Sequence, residues 1–302
     1  MKTEGLISVA IPCYKGKFLA EAICSILGQT YKKLELIIVN DQSPEDIDAI
    51  VRQFDDPRIQ YHVNKSNLGA QNPAYNWNKC LSYAKGEFFA LLCDDDVYEP
   101  TFFETMLTLA QKHPETQVFR ARANFINVEG KEINRYASAP EWESWEDYLW
   151  HVTKNYRSQT ISEWFYRTDA LTSVGGYALL PLAWYADYLS IFRFAQRGGI
   201  ASTSEILVHF RLSGENISSR DDENTVQKIE AQNQYRISVA ELLKDNPQRE
   251  DLMNQLNWLL IQHLKYNLGH APKSVLFHIY RNRHKYGIKG KLCWHALWHK
   301  DG

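Results

Sequence analysis

Short apolar runs and amphipathic stretches alternate along the first hundred residues. Residues 6–13 and 34–40 (LELIIVN) are β-branched and apolar, the signature of strands buried on both faces. Between them, residues 18–29 place apolar side chains at helical spacing, so the opening reads as a βαβ unit. The alternation continues with a helix after Pro44, a strand at 59–63, a helix at 76–84 and a buried strand at 87–93. Strands alternating with helices predict a largely parallel sheet covered on both faces. Residues 101–220 continue as α+β, with a helix at 102–112, strands at 118–127 and 162–167, and a helix at 187–197 stopped by Gly198-Gly199. Beyond Thr225 the strand signal fades and helical segments follow, broken at Pro247, Pro272, Gly287 and Gly290. The expected organisation is a catalytic α/β domain over 1–220, with a nucleotide-binding half at 1–100 and an acceptor half at 101–220. A basic, helical extension over 221–302 follows it.

Composition changes this picture little. Across 302 residues, 44% hydrophobic and 23% charged residues are ordinary globular values. Apolar runs such as Phe88–Cys93 fall far short of the roughly 20 residues needed to cross a bilayer. The start, interrupted by Pro12, reads as a first strand rather than a secretory signal, so a cytoplasmic protein is expected. Five scattered cysteines, Cys13, Cys24, Cys80, Cys93 and Cys293, show no Cys-x-x-Cys pair, which argues for reduced thiols rather than a disulfide framework or zinc site. Charge is more informative. Residues 252–300 hold eight Lys or Arg and no Asp or Glu, together with six of the ten histidines, whereas the rest of the chain is acidic.

In open α/β sheets ligands bind beyond the carboxyl ends of the strands. Here those ends carry Asn40-Asp41 and Asp94-Asp95-Asp96. Three successive carboxylates repel one another unless a cation or ordered solvent neutralises them. Hard oxygen ligands select Mg or Mn, which take one or two protein carboxylates and complete their shell with water and substrate phosphate. The competing reading is an acidic loop ahead of the helix that follows Pro100. Asp41 would accept a hydrogen bond from a nucleotide base or ribose; its competing role is an Asx turn before Ser43-Pro44.

Taken together, ISVAIPCYKGKFLAEAICSILGQTYKKLELIIVNDQS, NLG at 67–69, AKGEFFALLCDDDVYEP, VGGY at 174–177 and the segment from Tyr185 through HFRLSGENIS resemble glycosyltransferase family 2. The resemblance runs over about residues 6–219. It implies a GT-A fold and an inverting sugar transfer from a nucleotide-sugar, most simply a UDP-sugar. Pro12 and Tyr14 would lie near the uridine, Asp41 on the base, Asn67 in a donor loop, and the acidic triplet on metal and diphosphate. Cys93 stands where the family's leading aspartate usually does, so Asp95 becomes the first metal ligand, Asp96 shapes the site, and Asp94 replaces the missing carboxylate. Trp77 stands in an arginine's place, and the loop after Asn67 is longer than the family's.

Asp187 falls where the family commonly has a Glu-Asp pair, with Ala186 replacing the first member, and is the expected general base. Its competing role is a helix N-cap. Trp184 and Tyr185 just ahead of it are candidates to stack on an acceptor sugar, with Trp142, Trp145, Trp150 and Trp164 in the same region. Arg211, in HFRLSG, is the candidate for a bidentate contact to the donor diphosphate; Ser213 replaces the usual histidine, and His209 reads as an ordinary strand residue. The acceptor is expected to be a glycan or lipid-linked, in bacterial surface polysaccharide or lipopolysaccharide synthesis. The basic, aromatic segment 252–300 suits either an anionic inner-membrane surface or a helical cap on the catalytic domain. No nucleic-acid-binding motif accompanies it. Two other functions compete. A nucleotidyltransferase would need a Gly-rich basic phosphate loop, whereas residues 12–18 read PCYKGKF. A non-catalytic nucleotide-sugar-binding module is suggested by Cys93, Ala186 and Ser213.

Overall fold

The structure, a computed structural model, describes residues 2–214, 224–288 and 290. The first half runs β1 (Thr3–Cys13), α1 (Leu19–Leu27), β2 (Leu34–Asn40), α2 (Ile47–Val51), β3 (Ile59–Val63), α3 (Pro73–Tyr83) and β4 (Gly86–Leu91). A short β5 (Val97–Tyr98) and α4 (Phe102–Lys112) lead to β6 (Val118–Ile126), β7 (Glu132–Arg135), β8 (Trp142–Glu143) and α5 (Trp145–Thr153). Then come β9 (Trp164–Arg167), α6 (Thr168–Ser173), α7 (Ala186–Ala195), β10 (Ile200–Arg211), α8 (Thr225–Leu242), α9 (Arg249–His270) and α10 (Lys273–Arg281).

One mixed sheet organises these elements, in the order β3-β2-β1-β4-β9-β6-β10-β5, with β7 beside β6 and β8 beside β10. The first four strands are parallel, as the alternation predicts. β9 is antiparallel to both β4 and β6, so the parallel character stops there. Because β6 and β10 are parallel to each other, the carboxyl ends of β1, β2, β4, β6 and β10 share one edge of the sheet.

The period-2 alternation of strands sorts the core into two layers. Ile7, Val9, Ile11, Leu36 and Ile38 pack under α1 and α4 with Ile23, Phe102 and Phe103. Ala10, Ile37 and Val39 face the other way, into a cluster with α3, α5 and α7. α3 begins at Pro73, a turn earlier than the apolar pattern suggests. The Asn72 side chain accepts from the Ala74 N–H and Pro73 sits at the first helical position, so the polar start is a capped helix end. α5 is absent from the sequence reading; its tryptophans drew attention as acceptor contacts instead. Trp145 and Trp164 are core residues, 6% and 0% exposed, which removes them from that role. α7 stops at Ala195, two residues short of the sequence reading, and the turn after it passes through Gly198, whose φ of +83° a side chain would resist and where a Cβ would lie 2.1 Å from the Glu115 carbonyl oxygen.

The C-terminal helices belong in part to the same core. Tyr235, Val239, Leu243, Leu252, Leu256 and Leu260 join the cluster that holds α5 and α7. Farther along, Ile229, Leu264, Leu268, Leu276, Ile279, Tyr286 and Ile288 form a separate cluster. Trp258, Tyr266 and Phe277 remain exposed. No helix among the described residues is long and apolar enough to cross a membrane. Cys293, Trp294, Trp298 and the 220/221 boundary lie outside the described residues.

Candidate active site

The acidic triplet follows β4 at the shared carboxyl edge. Asp94 Oδ2 accepts from the backbone N–H groups of Tyr14 and Lys15, each at 2.7 Å, which ties the loop after β1 to the loop after β4. Burial pushes its carboxyl up to about 6, against these two hydrogen bonds, and the neighbouring Asp95 charge adds to the rise. Asp95 is 7% exposed and its Oδ2 accepts from the Ser213 hydroxyl at 3.2 Å. Burial raises its pKa, opposed by the Lys15 charge, the Ser213 hydrogen bond and Arg211.

Asp96 has no exposure at all. Ser162 donates to its Oδ2 at 2.5 Å and the Arg211 backbone N–H to its Oδ1 at 3.0 Å. Burial, then the Asp95 charge, holds its carboxyl well above the ordinary range. Asp96 therefore braces the loop, and the expectation of it as a metal ligand is corrected: it is fully buried and each of its oxygens already accepts a hydrogen bond from protein. Among the described residues no three His, Cys, Asp or Glu converge on a metal position. The residues nonetheless fit a hard divalent ion. Asp94 and Asp95 place carboxylate oxygens side by side where one or two carboxylates suffice, water and phosphate supplying the rest.

Arg211 is also corrected. It is 1% exposed and its guanidinium is spent on protein. Nε donates to the Asp95 carbonyl at 3.0 Å, Nη1 to those of Asn127 and Val128, and Nη2 to Glu21 at 2.7 Å, over the Phe18 ring. A diphosphate contact would break this set. Arg211 instead ties the acidic loop to α1 and to the end of β6. His209, one turn of the strand earlier, bridges Asn124 and Glu99 at 2.6 and 2.7 Å.

Pro12 and Tyr14 sit between the loops that carry Asp41 and Asp94. Tyr14 is 41% exposed, and its carbonyl accepts from the Ser43 hydroxyl at 2.6 Å. Asp41 does not form the Asx turn before Ser43-Pro44, because the Ser43 N–H donates to Asn40 Oδ1 at 2.9 Å. Asp41 Oδ1 accepts from Asn64 Nδ2 at 2.7 Å and the Leu68 N–H at 2.8 Å, and its Oδ2 from the Gly69 N–H at 2.6 Å. Three donors leave about one of a carboxylate's four lone-pair sites for a ligand. Gly69 permits the approach, because a Cβ there would lie 2.9 Å from Asp41 Oδ2. Asn67 closes its own turn by accepting from the Ala70 N–H at 2.7 Å. Trp77 meets Tyr177 edge-on, with centroids 5.6 Å apart.

Across the edge, Asp187 occupies the first turn of α7. The N-cap is Tyr185, so the capping role for Asp187 is set aside. Gln159 Nε2 donates to its Oδ2 at 3.0 Å, and Tyr148 Oη donates to Gln159 Oε1 at 2.6 Å, which fixes the amide's orientation. Burial raises the Asp187 pKa, opposed by Gln159 and the Tyr188 backbone N–H. Beneath it, Arg120 Nε donates to Glu163 Oε1 at 2.6 Å, its guanidinium set between the Tyr148 and Trp164 rings. Burial pushes Glu163 up to about 7, opposed by Arg120 and aided by the Asp187 charge.

Trp184 and Tyr185 are both turned toward the C-terminal helices rather than held open for a sugar. The Tyr185 ring stacks on Tyr235 at 4.8 Å and its hydroxyl bonds His263 Nδ1 at 2.7 Å. Lys228 lies over the Trp184 ring at 4.9 Å. The acceptor-stacking role expected of Tyr185 is corrected on this ground.

The structure adds Gln159, Ser162, Arg120, Glu163 and Asn72 to the site. Only the Thr160-x-x-Glu163 capping-box spacing was legible among them, with the Thr160 N–H donating to Glu163 Oε2 at 3.2 Å. One relation organises the whole edge. Within four residues, Gln159 holds Asp187 and Ser162 holds Asp96. Their Cα atoms lie within roughly 11 Å by chain length, so the base candidate and the acidic loop flank one short segment.

The chain forms a mixed α/β sheet with carboxylates gathered at the carboxyl ends of its parallel strands, and comparisons with known proteins make the class specific. Residues 8–172 match the family model described as Glycosyl transferase family 2. An uncharacterized glycosyltransferase of Haemophilus influenzae is 26% identical over 309 residues, covering 97% of this chain and 91% of that one. Glycosyltransferase GlyG of Streptococcus pneumoniae is 31% identical over 136 residues, 43% of this chain and 42% of its own. Among solved structures, S. aureus TarS 1-349 superposes with a TM-score of 0.69 at 14% identity, covering 98% and 90% of the two chains. Mannosyltransferase PcManGT from Pyrobaculum calidifontis, in complex with GDP-Man and Mn2+, gives 0.59 at 11% identity, covering 97% and 84%. The chain belongs to glycosyl transferase family 2 and has the GT-A fold. Its activity is that of a glycosyltransferase.

Proposed function

We propose that this chain is an inverting, metal-dependent transferase that moves a sugar from a UDP-sugar to a glycan or lipid-linked acceptor in bacterial surface polysaccharide synthesis. The observation that carries this reading is the 159–162 segment, which holds a base candidate on one side and the acidic loop on the other. Asp187 would take the proton from the acceptor hydroxyl as that oxygen attacks the anomeric carbon and the bond to the nucleoside diphosphate breaks. Its buried setting raises its affinity for the proton it must accept. Asp95, with Asp94 beside it, would hold Mn or Mg, and the bound ion would neutralise charge developing on the departing diphosphate. Pro12, Tyr14 and the fourth lone-pair site of Asp41 would meet the nucleoside. The neighbours support a nucleotide-sugar donor: a further TarS structure is in complex with UDP-GlcNAc, and PcManGT is in complex with GDP-Man and Mn2+.

Calorimetric titration with UDP, GDP, CMP and dTDP, each with and without Mn, tests this. Mn-dependent binding that prefers UDP is expected, followed by UDP release from UDP-glucose, UDP-galactose or UDP-N-acetylglucosamine. Binding of none of the four would favour a non-catalytic module of the same fold. We place residues 221–302 as an extension that works beside the catalytic domain, on the cytoplasmic face of a membrane. Exposed Trp258, Tyr266 and Phe277 among its lysines and arginines suit an anionic lipid surface. Full-length protein should float with anionic but not neutral liposomes; equal recovery with both would remove the membrane contact.

A further inference from the structure

The turn that delivers Asp187 is backbone-strained. Leu182, Ala183 and Tyr185 have φ of 58°, 53° and 62°, three left-handed conformations within four residues and none at glycine. Such a run persists only where its surroundings over-determine it, and it commonly marks a functional constraint. Two sets of contacts do so here. From the donor side, Asn72 Nδ2 donates to the Leu180 carbonyl at 2.6 Å, at the end of the same loop that Asp41 anchors. From the other side, Tyr185 is stacked on Tyr235 of α8, and its hydroxyl bonds His263 of α9. Tyr235 is 2% exposed and also lies against Phe192, one turn and a half along α7 from Asp187. The Tyr185 carbonyl in turn accepts the Leu189 N–H at 3.0 Å, starting the helix that carries the carboxylate.

We propose that Tyr235 and His263 are positioning residues for the transfer reaction: through Tyr185 they hold the strained turn that aims Asp187. The proposal rests on the reading of Asp187 as the base. It gives the C-terminal helices a part in catalysis independent of any membrane contact. Tyr235 and His263 lie outside the donor-side loop, and their variants leave its Asn72 tie to the turn intact, so donor affinity and turnover should separate.

The test uses the full chain with Tyr235→Leu, Tyr235→Phe, His263→Leu, His263→Gln and Asp187→Asn. UDP release from the three UDP-sugars gives kcat, calorimetry with UDP and Mn gives donor affinity, and hydrogen exchange follows the amides of residues 180–190. A misaimed base costs on the order of tenfold to a hundredfold in rate, so Tyr235→Leu should lower kcat by that much with UDP affinity unchanged. Tyr235→Phe, which keeps the ring stack, should restore it. His263→Leu should lower kcat less, and His263→Gln, which keeps an acceptor, should recover part of the loss. Exchange over 180–190 should quicken while that of β1 to β4 stays as in the parent. Wild-type kcat together with unchanged exchange in the leucine variants overturns the proposal, and His263→Leu alone decides it if Tyr235→Leu does not fold. Full turnover by Asp187→Asn overturns the base assignment and the proposal with it, an outcome distinct from failure of the clamp variants.

Discussion

The two sides of the active edge hold their carboxylates in opposite ways. On the donor side, Asp41 accepts three hydrogen bonds from protein, Asp94 two from backbone, and Asp96 two. On the other side, Asp187 receives one side-chain hydrogen bond, from Gln159, and owes its placement to a strained turn packed among aromatic rings. The donor side is a mesh in which acidic residues fix loops. The other side presents one carboxylate from the first turn of a core helix. A carboxylate whose hydrogen bonds tie separate loops together contributes to architecture first, whereas Asp187, buried and met by Gln159 and by backbone N–H of its own helix turn, has its proton affinity raised by burial.

The contrast is broken most sharply by removing the lone carboxylate. Asp187→Asn should lower kcat by roughly a hundredfold to ten-thousandfold, the usual contribution of a general base, with UDP affinity unchanged. Urea unfolding should show stability within about 1 kcal/mol of the parent, because a desolvated buried charge is removed rather than a brace. A stability loss larger than the catalytic loss would make Asp187 another structural carboxylate and erase the distinction.

The donor side should respond the other way. Asp41→Ala strands the Asn64 amide and the Leu68 and Gly69 N–H groups, so a loss of about 2 to 3 kcal/mol in urea unfolding is expected, with weaker UDP binding. Unchanged stability would mean that the 64–69 loop is held by something other than Asp41.

Legibility followed the same divide. β2, β3 and α4 match the sequence pattern to the residue, because each is a local apolar run or periodicity with clear ends: β2 is buried throughout, α4 along one face, and β3 is a half-buried edge strand. The positions of Asp41, the acidic triplet and Asp187 at element ends were equally readable. What was not readable is who touches them. Gln159 meets Asp187 across 28 residues, Ser162 meets Asp96 across 66, and Arg211 meets Glu21 across 190. Those pairings come from the sheet order β4-β9-β6-β10, which no window of sequence contains. Arg211 and Tyr185 carry groups suited to a ligand, and the distant partners they find in the fold decide that they serve the protein instead.

The finest test of the contrast concerns Gln159, because it asks whether the one side-chain hydrogen bond on Asp187 sets its basicity. A carboxylate works as a base only when ionised, so the rate falls as pH drops through its pKa. Burial already lifts that pKa above the ordinary aspartate value, and the Gln159 N–H, by favouring the charged form, pulls it back down. Gln159→Leu removes the donor, so the acid limb of the kcat/KM profile should move to higher pH, by about one unit for a hydrogen bond worth about 1.4 kcal/mol. Tyr148→Phe leaves the amide in place and removes only the hydroxyl that orients it, so its shift should have the same direction and be smaller. Glu163, Tyr136, Tyr166, Tyr188 and Tyr235 also sense the Asp187 charge and are untouched by either change, so a shared shift isolates the Tyr148–Gln159–Asp187 chain. A limb that stays in place in both variants would mean that burial and the backbone N–H groups of the helix start tune the base, with no part for Gln159.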